Sequence, residues 1–343
     1  MKALLKLDKG LKNVSLREVP EPDVKGDEIK IKVHAAGICG TDLHIIKDEY
    51  PANYPVIMGH EFSGIVEEVG SNVKKFNEND RVVSLTAVVT CGNCKYCNTG
   101  LLMLCEQRKS IGSGVNGAFA EYISVPANLA FKLPATISLD EAALTEPLAC
   151  IVRCVIERGT VKPGDNVIVS GPGPIGLLTA QVAKASGGHV TVLGITNDSK
   201  RLELAKELGV DEVVMIDTDK GVTKINEIME SKGFDVAFEC SGVEASANNC
   251  LKFLNKTGLY VQVGLFGKRI SFDMDLALMK EIMITNGFAS EPTSWEIALR
   301  LLERGQVNVR PLISDKLSIN EWKKGFEISD KKKGYKVLLD PNM

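Results

Sequence analysis

Apolar and polar residues follow two different rhythms along this chain. Over about the first 130 residues the apolar stretches are short and often alternate with polar ones, as at Ile29–Ala36, Phe62–Val69, Arg81–Ser84 and Phe119–Val125. Gly, Pro, Asn and Asp separate them, with Pro20, Pro22, Pro51 and Pro55 in the intervening loops. That pattern predicts a β-rich half. Near residue 140 the rhythm changes: Leu139–Val155 has helical spacing, and Glu146-Pro147 inside it predicts a kink or a restart. From Asn166 onward, strand and helix patterns alternate, which predicts a doubly wound parallel sheet and an α/β fold class.

In that second half the expected strands are Val167–Val169, Val190–Ile195, Glu212–Ile216, Val236–Glu239, Leu259–Val263 and Ile282–Thr285, the last ending near Gly287. Helices are expected at Leu177–Lys184, at Ser199–Leu208 with Asp198 as its N-cap and Gly209 beyond its end, and at Trp295–Leu302. The apolar run Tyr335–Leu339 suits one more strand. Between the first of these strands and its helix lies Gly171-Pro172-Gly173-Pro174-Ile175-Gly176, a G-x-G-x-x-G turn. In this context the first glycine permits the turn, the second admits a pyrophosphate to the backbone, and the third lets helix pack on strand. The helix N-terminus then offers N–H groups to the phosphates.

Length and composition narrow the field. A chain of 343 residues exceeds one typical core and predicts two domains. It is 44% hydrophobic and 25% charged, with a net charge of −3, which argues against a nucleic-acid-binding surface. No apolar run approaches the roughly 18 residues of a membrane span. The stretch Met1–Lys6 is too short and charged for a signal peptide, so the expected location is the cytosol. Lys331-Lys332-Lys333 reads as a solvated surface run.

Nine cysteines in such a chain suit metal binding better than disulfides. Cys91, Cys94, Cys97 and Cys105 form C-x2-C-x2-C-x7-C, with Gly92 and Gly100 to turn the chain. Four thiolates on one lobe match a closed tetrahedral zinc site, whose role is structural because no position is open. A second set is dispersed: Cys39 in Cys39-Gly40-Thr41-Asp42, His60 and Glu61 in Gly59-His60-Glu61, and Glu146. Taken singly, His60 suits a satisfied loop histidine and Cys39 a small buried hydrophobe. Together they offer thiolate, imidazole and carboxylate, the ligand types of a zinc with an open position. Such a metal polarises an alcohol or carbonyl oxygen, so that hydride can pass between carbon and a nicotinamide.

These motifs, in this order, resemble the zinc-dependent medium-chain dehydrogenase/reductase family over essentially the full chain. They are Gly37–Asp42, Gly59–Glu61, the four-cysteine lobe, Glu146-Pro147 and Gly171–Gly176. Within it, the glutamate at 146 is most similar to the sorbitol (polyol) dehydrogenase branch, since ordinary alcohol dehydrogenases use a cysteine there. The resemblance implies a GroES-like catalytic domain (residues 1–152, with the zinc lobe at about 88–107), a Rossmann domain (153–287), and a return to the first domain (288–343). It implies that Cys39 and His60 ligate a catalytic zinc, with Glu61 a third or exchanging ligand and Glu146 bound directly or through water. Thr41 would take the substrate proton, His44 would relay it by way of the cofactor ribose, and Asp42 would orient His60. With the structural site, two zinc ions per chain are expected.

The cofactor's second phosphate hinges on one region. About twenty residues after Gly176, where NAD-binding folds place an acid, stands Thr196, and Gly194–Asn197 is neutral. Lys200 and Arg201 follow and can pair with a 2′-phosphate, while Asp198 reads as a helix cap. NADP is therefore expected over NAD. The chain departs from the polyol branch in two places. Ile45 follows His44 where an aromatic residue is usual, and Phe288–Glu291 lacks the arginine that holds a substrate hydroxyl. Lys268, Arg269 and Glu291 form no convergent phosphate site.

The expected activity is reversible oxidation of a secondary alcohol of a small polyol to a ketone. L-threonine 3-dehydrogenase and sugar-alcohol-phosphate dehydrogenase are the alternatives in the same chemistry. A catalytically silent NADPH-binding protein is the alternative of another class, and the presence of a full proton relay argues against it. The expected partners are the alcohol or polyol and further copies of the chain, in a dimer or tetramer paired through the apolar edge at Ile282–Thr285; no nucleic acid or membrane is expected.

Overall fold

The computed structural model describes residues 1–343, which divide into two compact units. The first comprises Met1–Pro147, Glu291–Glu303 and Val309–Met343; the second comprises Leu148–Ser290 and Arg304–Asn308. No helix is long and apolar enough to cross a membrane.

The first unit is built on a seven-stranded sheet. Strand Glu28–Gly37 lies at its centre, pairing antiparallel with Glu61–Val69 and with Tyr122–Pro126, and through Gly37 and Ala36 with the C-terminal strand Lys336–Asp340. Alternation explains why it forms: Ile29, Ile31 and Val33 point one way and are fully buried, while Lys30 and Lys32 point the other. Phe62, Phe119, Phe326 and Leu339 pack on that face, each such side chain adding about 1.5–3 kcal/mol of burial. The strand expected at Phe119–Val125 begins only at Tyr122, because Phe119 and Ala120 turn aside to bond Leu4 and bridge Ala3.

The helical run expected at Leu139–Val155 is interrupted. Ser138 and Glu141 form a capping box for a single turn, Leu139–Ala142, and a second helix starts at Thr145 and runs to Val152. Pro147 therefore sits in a first turn, where its missing N–H has no helical partner to lose. A π-helical turn, Arg153–Arg158, follows.

The second unit carries a six-stranded parallel sheet. Its order is Glu212–Met215, His189–Gly194, Asn166–Ser170, Phe234–Glu239, Leu254–Gln262 and Met283–Asn286. The chain starts at Asn166–Ser170 and reverses direction across the sheet next to it. The C-terminal ends of this strand and of Phe234–Glu239 thus border the crevice where open α/β sheets bind ligands. The fifth strand begins at Leu254, five residues before the expected start, with a register shift opposite Phe234 and Val236.

Candidate active site

Three of the dispersed residues meet in the first unit. The ligand atoms of Cys39, His60 and Glu61 lie within 4.8 Å of one another, and those of Cys91, Cys94, Cys97 and Cys105 form a second group that meets the same limit. The Glu146 carboxylate is buried but stands outside the first group.

Local geometry aims the first group. Cys39 caps the short helix Gly40–Ile46, which carries Thr41, Asp42 and His44. The buried Asp42 accepts the Cys39 N–H at Oδ2, 2.9 Å away, while its other oxygen has no hydrogen-bond partner and lies 3.7 Å from His60 Nδ1. That orphaned oxygen beside an imidazole is what a metal-ligating histidine uses to fix its tautomer, leaving Nε2 for the metal. Burial pushes the His60 pKa down, but the Asp42 carboxylate and Cys39 more than offset it, holding the imidazole above its usual value. The Thr41 hydroxyl lies 3.7 Å from the Cys39 sulfur, and His44 Nδ1 lies 2.6 Å from Glu49 Oε2.

Glu61 has a partner that the sequence pattern did not single out. The Lys336 ammonium lies 2.5 and 2.6 Å from the two Glu61 oxygens, and both residues are buried. They stand on strands either side of Glu28–Gly37 and meet across Gly37. A Cβ on Gly37 would fall 2.4 Å from Glu61 Oε2, so the glycine is what lets the carboxylate cross. Burial pushes the Lys336 ammonium down, yet Glu61 outweighs it and the pKa lies above the usual lysine range. The available signal was a lysine breaking the apolar run Tyr335–Leu339.

The four-cysteine lobe is stitched by N–H···S bonds. Cys94 N–H donates to Cys91 Sγ, Cys97 N–H to Cys94 Sγ and Cys91 N–H to Cys105 Sγ, at 3.3–3.4 Å. N–H donors from Asn93 and Cys94 lower the Cys91 thiol to about 6. The Cys97 N–H is outweighed by burial and by the Cys91 and Cys97 sulfurs, which push Cys94 up to about 11, since adjacent thiols do not all ionise at once. It is four sulfurs within 4.8 Å of one another that fit zinc, which binds them as thiolates. The buried Glu291 carboxylate accepts the Met103 N–H, holding the turn between Cys97 and Cys105.

In the second unit, Gly171 has φ +103° and packs on Ser241, where a Cβ would lie 2.8 Å from the Ser241 Cβ. Gly176 leaves room for the Gly171 carbonyl, 1.8 Å from where its own Cβ would stand. Nothing lies within 4 Å of a Cβ on Gly173, the cap of helix Pro174–Ala185, so the space before the free N–H groups at Ile175 and Gly176 is open to a phosphate. The loop beside this turn is held by Glu239, a fully buried carboxylate that the sequence reading placed only as a strand end. It accepts the N–H groups of Ser241 and Gly242 and the hydroxyls of Ser241 and Ser246.

Thr196, Lys200 and Arg201 follow strand His189–Gly194, Thr196 in a 3-10 turn and the two cations in the first turn of helix Ser199–Glu207. Asp198 occupies the cap position of that helix, but its side chain makes no capping bond. It turns back instead to accept the Ile195 N–H at 3.2 Å and lies 3.8 Å from Arg201, because the 3-10 turn places its carboxylate on the upstream side. Asp217, unremarked in the sequence, accepts the Thr196 N–H at 2.8 Å, and that bond lowers its pKa.

Comparison with known proteins accounts for both units. Residues 25–135 match the alcohol dehydrogenase GroES-like domain and residues 174–304 the zinc-binding dehydrogenase domain. The chain is 41% identical to a sorbitol dehydrogenase of Halalkalibacterium halodurans, covering 99% of each chain. It is 37% identical to a D-arabitol-phosphate dehydrogenase of Enterococcus avium, covering 100% of this chain and 98% of that one. Among solved structures, one described as a zinc-binding dehydrogenase of Sinorhizobium meliloti, bound to NADP, superposes with a TM-score of 0.90 at 31% identity over 99% of both chains.

Proposed function

This chain belongs to the zinc-binding, medium-chain alcohol dehydrogenase family, and from that premise we propose that it oxidises a secondary alcohol of a small polyol to the ketone, reversibly, with NADP as hydride acceptor. The observation that carries the reading is the convergence of Cys39, His60 and Glu61 beside the Thr41 hydroxyl, in a chain whose relatives include a sorbitol dehydrogenase and a D-arabitol-phosphate dehydrogenase. Cys39 and His60 are the direct ligands of a catalytic zinc, Glu61 and Glu146 its further carboxylates, and the four lobe cysteines hold a second, structural zinc. Bound zinc supplies Lewis acidity that lowers the pKa of a substrate hydroxyl. Thr41 Oγ1 accepts the proton that the alcohol gives up and passes it towards His44, and Asp42 holds the His60 ring.

NADP is favoured because Gly194 ends the strand whose tip carries the ribose-binding acid in NAD-binding folds. A Cβ at Gly194 would lie 3.0 Å from Pro172 Cγ and 3.1 Å from Asp198 Cβ, so a longer side chain is crowded there. Lys200 and Arg201 supply positive charge in the next turn, and the NADP-bound neighbour supports the reading. The Gly171–Gly176 turn takes the pyrophosphate.

Strand Met283–Asn286 edges its sheet with Met283 64% and Ile284 44% exposed, which favours pairing with a second copy in a dimer or tetramer. Nine cysteines with no disulfide among them suit the cytosol, where we place the enzyme.

The test is the initial rate of nicotinamide reduction or oxidation on a panel of polyols, sugar-alcohol phosphates and L-threonine, with NAD and NADP side by side. The expected result is turnover of an unphosphorylated polyol with NADP the better cofactor by kcat/KM. A higher kcat/KM with NAD overturns the cofactor reading, and turnover confined to phosphorylated substrates moves the assignment to the second reading, which the Enterococcus avium relative favours.

A further inference from the structure

We propose that Glu49 is a positioning residue of the proton relay: it fixes the tautomer of His44 and stabilises the cation that His44 becomes on taking the substrate proton. The inference rests on His44 as relay. His44 Nδ1 and Glu49 Oε2 are 2.6 Å apart. An ionised carboxylate only accepts, so Nδ1 carries the hydrogen and Nε2 keeps the lone pair that can receive a proton. The division of labour is that of the buried aspartate behind a catalytic histidine, which orients the ring and stabilises imidazolium without itself becoming protonated.

The pair is built into the backbone. Helix Gly40–Ile46 ends, Asp48 takes a positive φ of 60°, and the Glu49 N–H returns to the His44 carbonyl at 2.8 Å. Lys6, fully buried in strand Lys2–Lys6, clamps that turn. Its ammonium donates to the Ile46 and Gly10 carbonyls at 2.9 Å and lies 3.0 Å from Asp48 Oδ1, while the Gly10 N–H donates to Asp48 Oδ2 at 2.6 Å. The Gly10 N–H and Lys6 hold the Asp48 carboxyl below its usual range, so the clamp stays charged near neutrality. A buried cation thus finishes the carbonyl end of the relay helix and folds Glu49 back onto the ring of His44, five residues before it.

Other charges face the pair. Lys47, on the same turn, bonds Asp330 of helix Trp322–Asp330 at 2.6 Å and also feels the Glu49 charge. Glu49 lines a cavity of about 670 Å³ with Asp48, Lys9, Arg108, Lys109, Tyr50 and Tyr54. Asp48 is matched by Lys6. His44 and Glu49 are 45% and 55% exposed, so the pair adds little to folding stability and its consequence falls on the proton.

That separation makes the test clean. Glu49→Gln is expected to unfold like the wild type yet to lower kcat about tenfold, with KM little changed. The ring should change as well: its 15N chemical shifts, which report which nitrogen carries the hydrogen, are expected to show Nδ1–H in the wild type and a weaker preference for that tautomer in Glu49→Gln. The chain has four histidines, so the His44 resonance is assigned by its loss in His44→Asn. If His44→Asn keeps wild-type kcat, the relay reading falls and the inference with it. If His44→Asn is slow but Glu49→Gln matches the wild type in both ring tautomer and kcat, the relay stands and the role given to Glu49 is overturned.

Discussion

The two sulfur-bearing clusters of the first unit are opposites. The four-cysteine lobe draws its ligands from fifteen consecutive residues, Cys91 to Cys105, and its backbone bonds its own sulfurs. Only Cys105 of the four is buried, and the lobe has little core of its own. The Cys39–His60–Glu61 cluster draws on separate segments, and two of its members depend on residues far away in sequence. His60 faces Asp42, and Glu61 is matched by Lys336, 275 residues later. The difference fits the two roles proposed above. A closed set of thiolates near the surface replaces a hydrophobic core for a short lobe. A mixed set fixed by buried partners is held still by the surrounding protein, which a reacting centre requires.

If that contrast is right, the largest effect follows from Cys39→Ser. Turnover should fall about a thousandfold or more, while the fold and the lobe's metal survive, so metal analysis reads one equivalent lost and one retained. Unchanged activity would remove the cluster from the chemistry. Next comes Lys336→Met, which strands a buried carboxylate at a cost of about 3–5 kcal/mol in urea unfolding. Adding Glu61→Gln should recover most of that loss; a single variant as stable as the wild type would show that the Glu61 charge never needed Lys336.

For the lobe, Cys94→Ser should remove one metal equivalent and lower Tm by about 5 °C together, and a lost metal with an unaltered Tm would contradict a structural role. The smallest effect belongs to Gly92→Ala. Gly92 has φ +72° with open space around it, so only backbone strain is added, about 1 kcal/mol, and metal content should not change.

The same contrast explains what could be read early. The lobe was legible because its ligands are neighbours in sequence, and the glycine turn because strand, turn and helix follow one another directly. Cys39, His60 and Glu61 were visible as residue types, but their convergence depends on the pairing of strands Glu28–Gly37 and Glu61–Val69. Asp198 stands at the expected cap position, but its side chain bonds upstream to Ile195, because a local rule names the position and not the direction of the side chain, which the 3-10 turn before it sets. Of the kink or restart expected at Glu146-Pro147 the chain takes the restart, and Pro147 stands in the first turn of the new helix, where it breaks no helical bond.

By itself, the order of residues determined the fold class, the β-rich first half, the parallel alternation of the second, the lobe and the glycine turn, since each is written in contacts a few residues long. Tertiary structure alone decided the partners: Lys336 for Glu61 across Gly37, Glu239 for the Ser241–Gly242 loop, Asp217 for the Thr196 N–H and Glu49 for His44. A buried or catalytic charge is stable only beside its complement, and which complement stands beside it depends on how strands and turns meet in space.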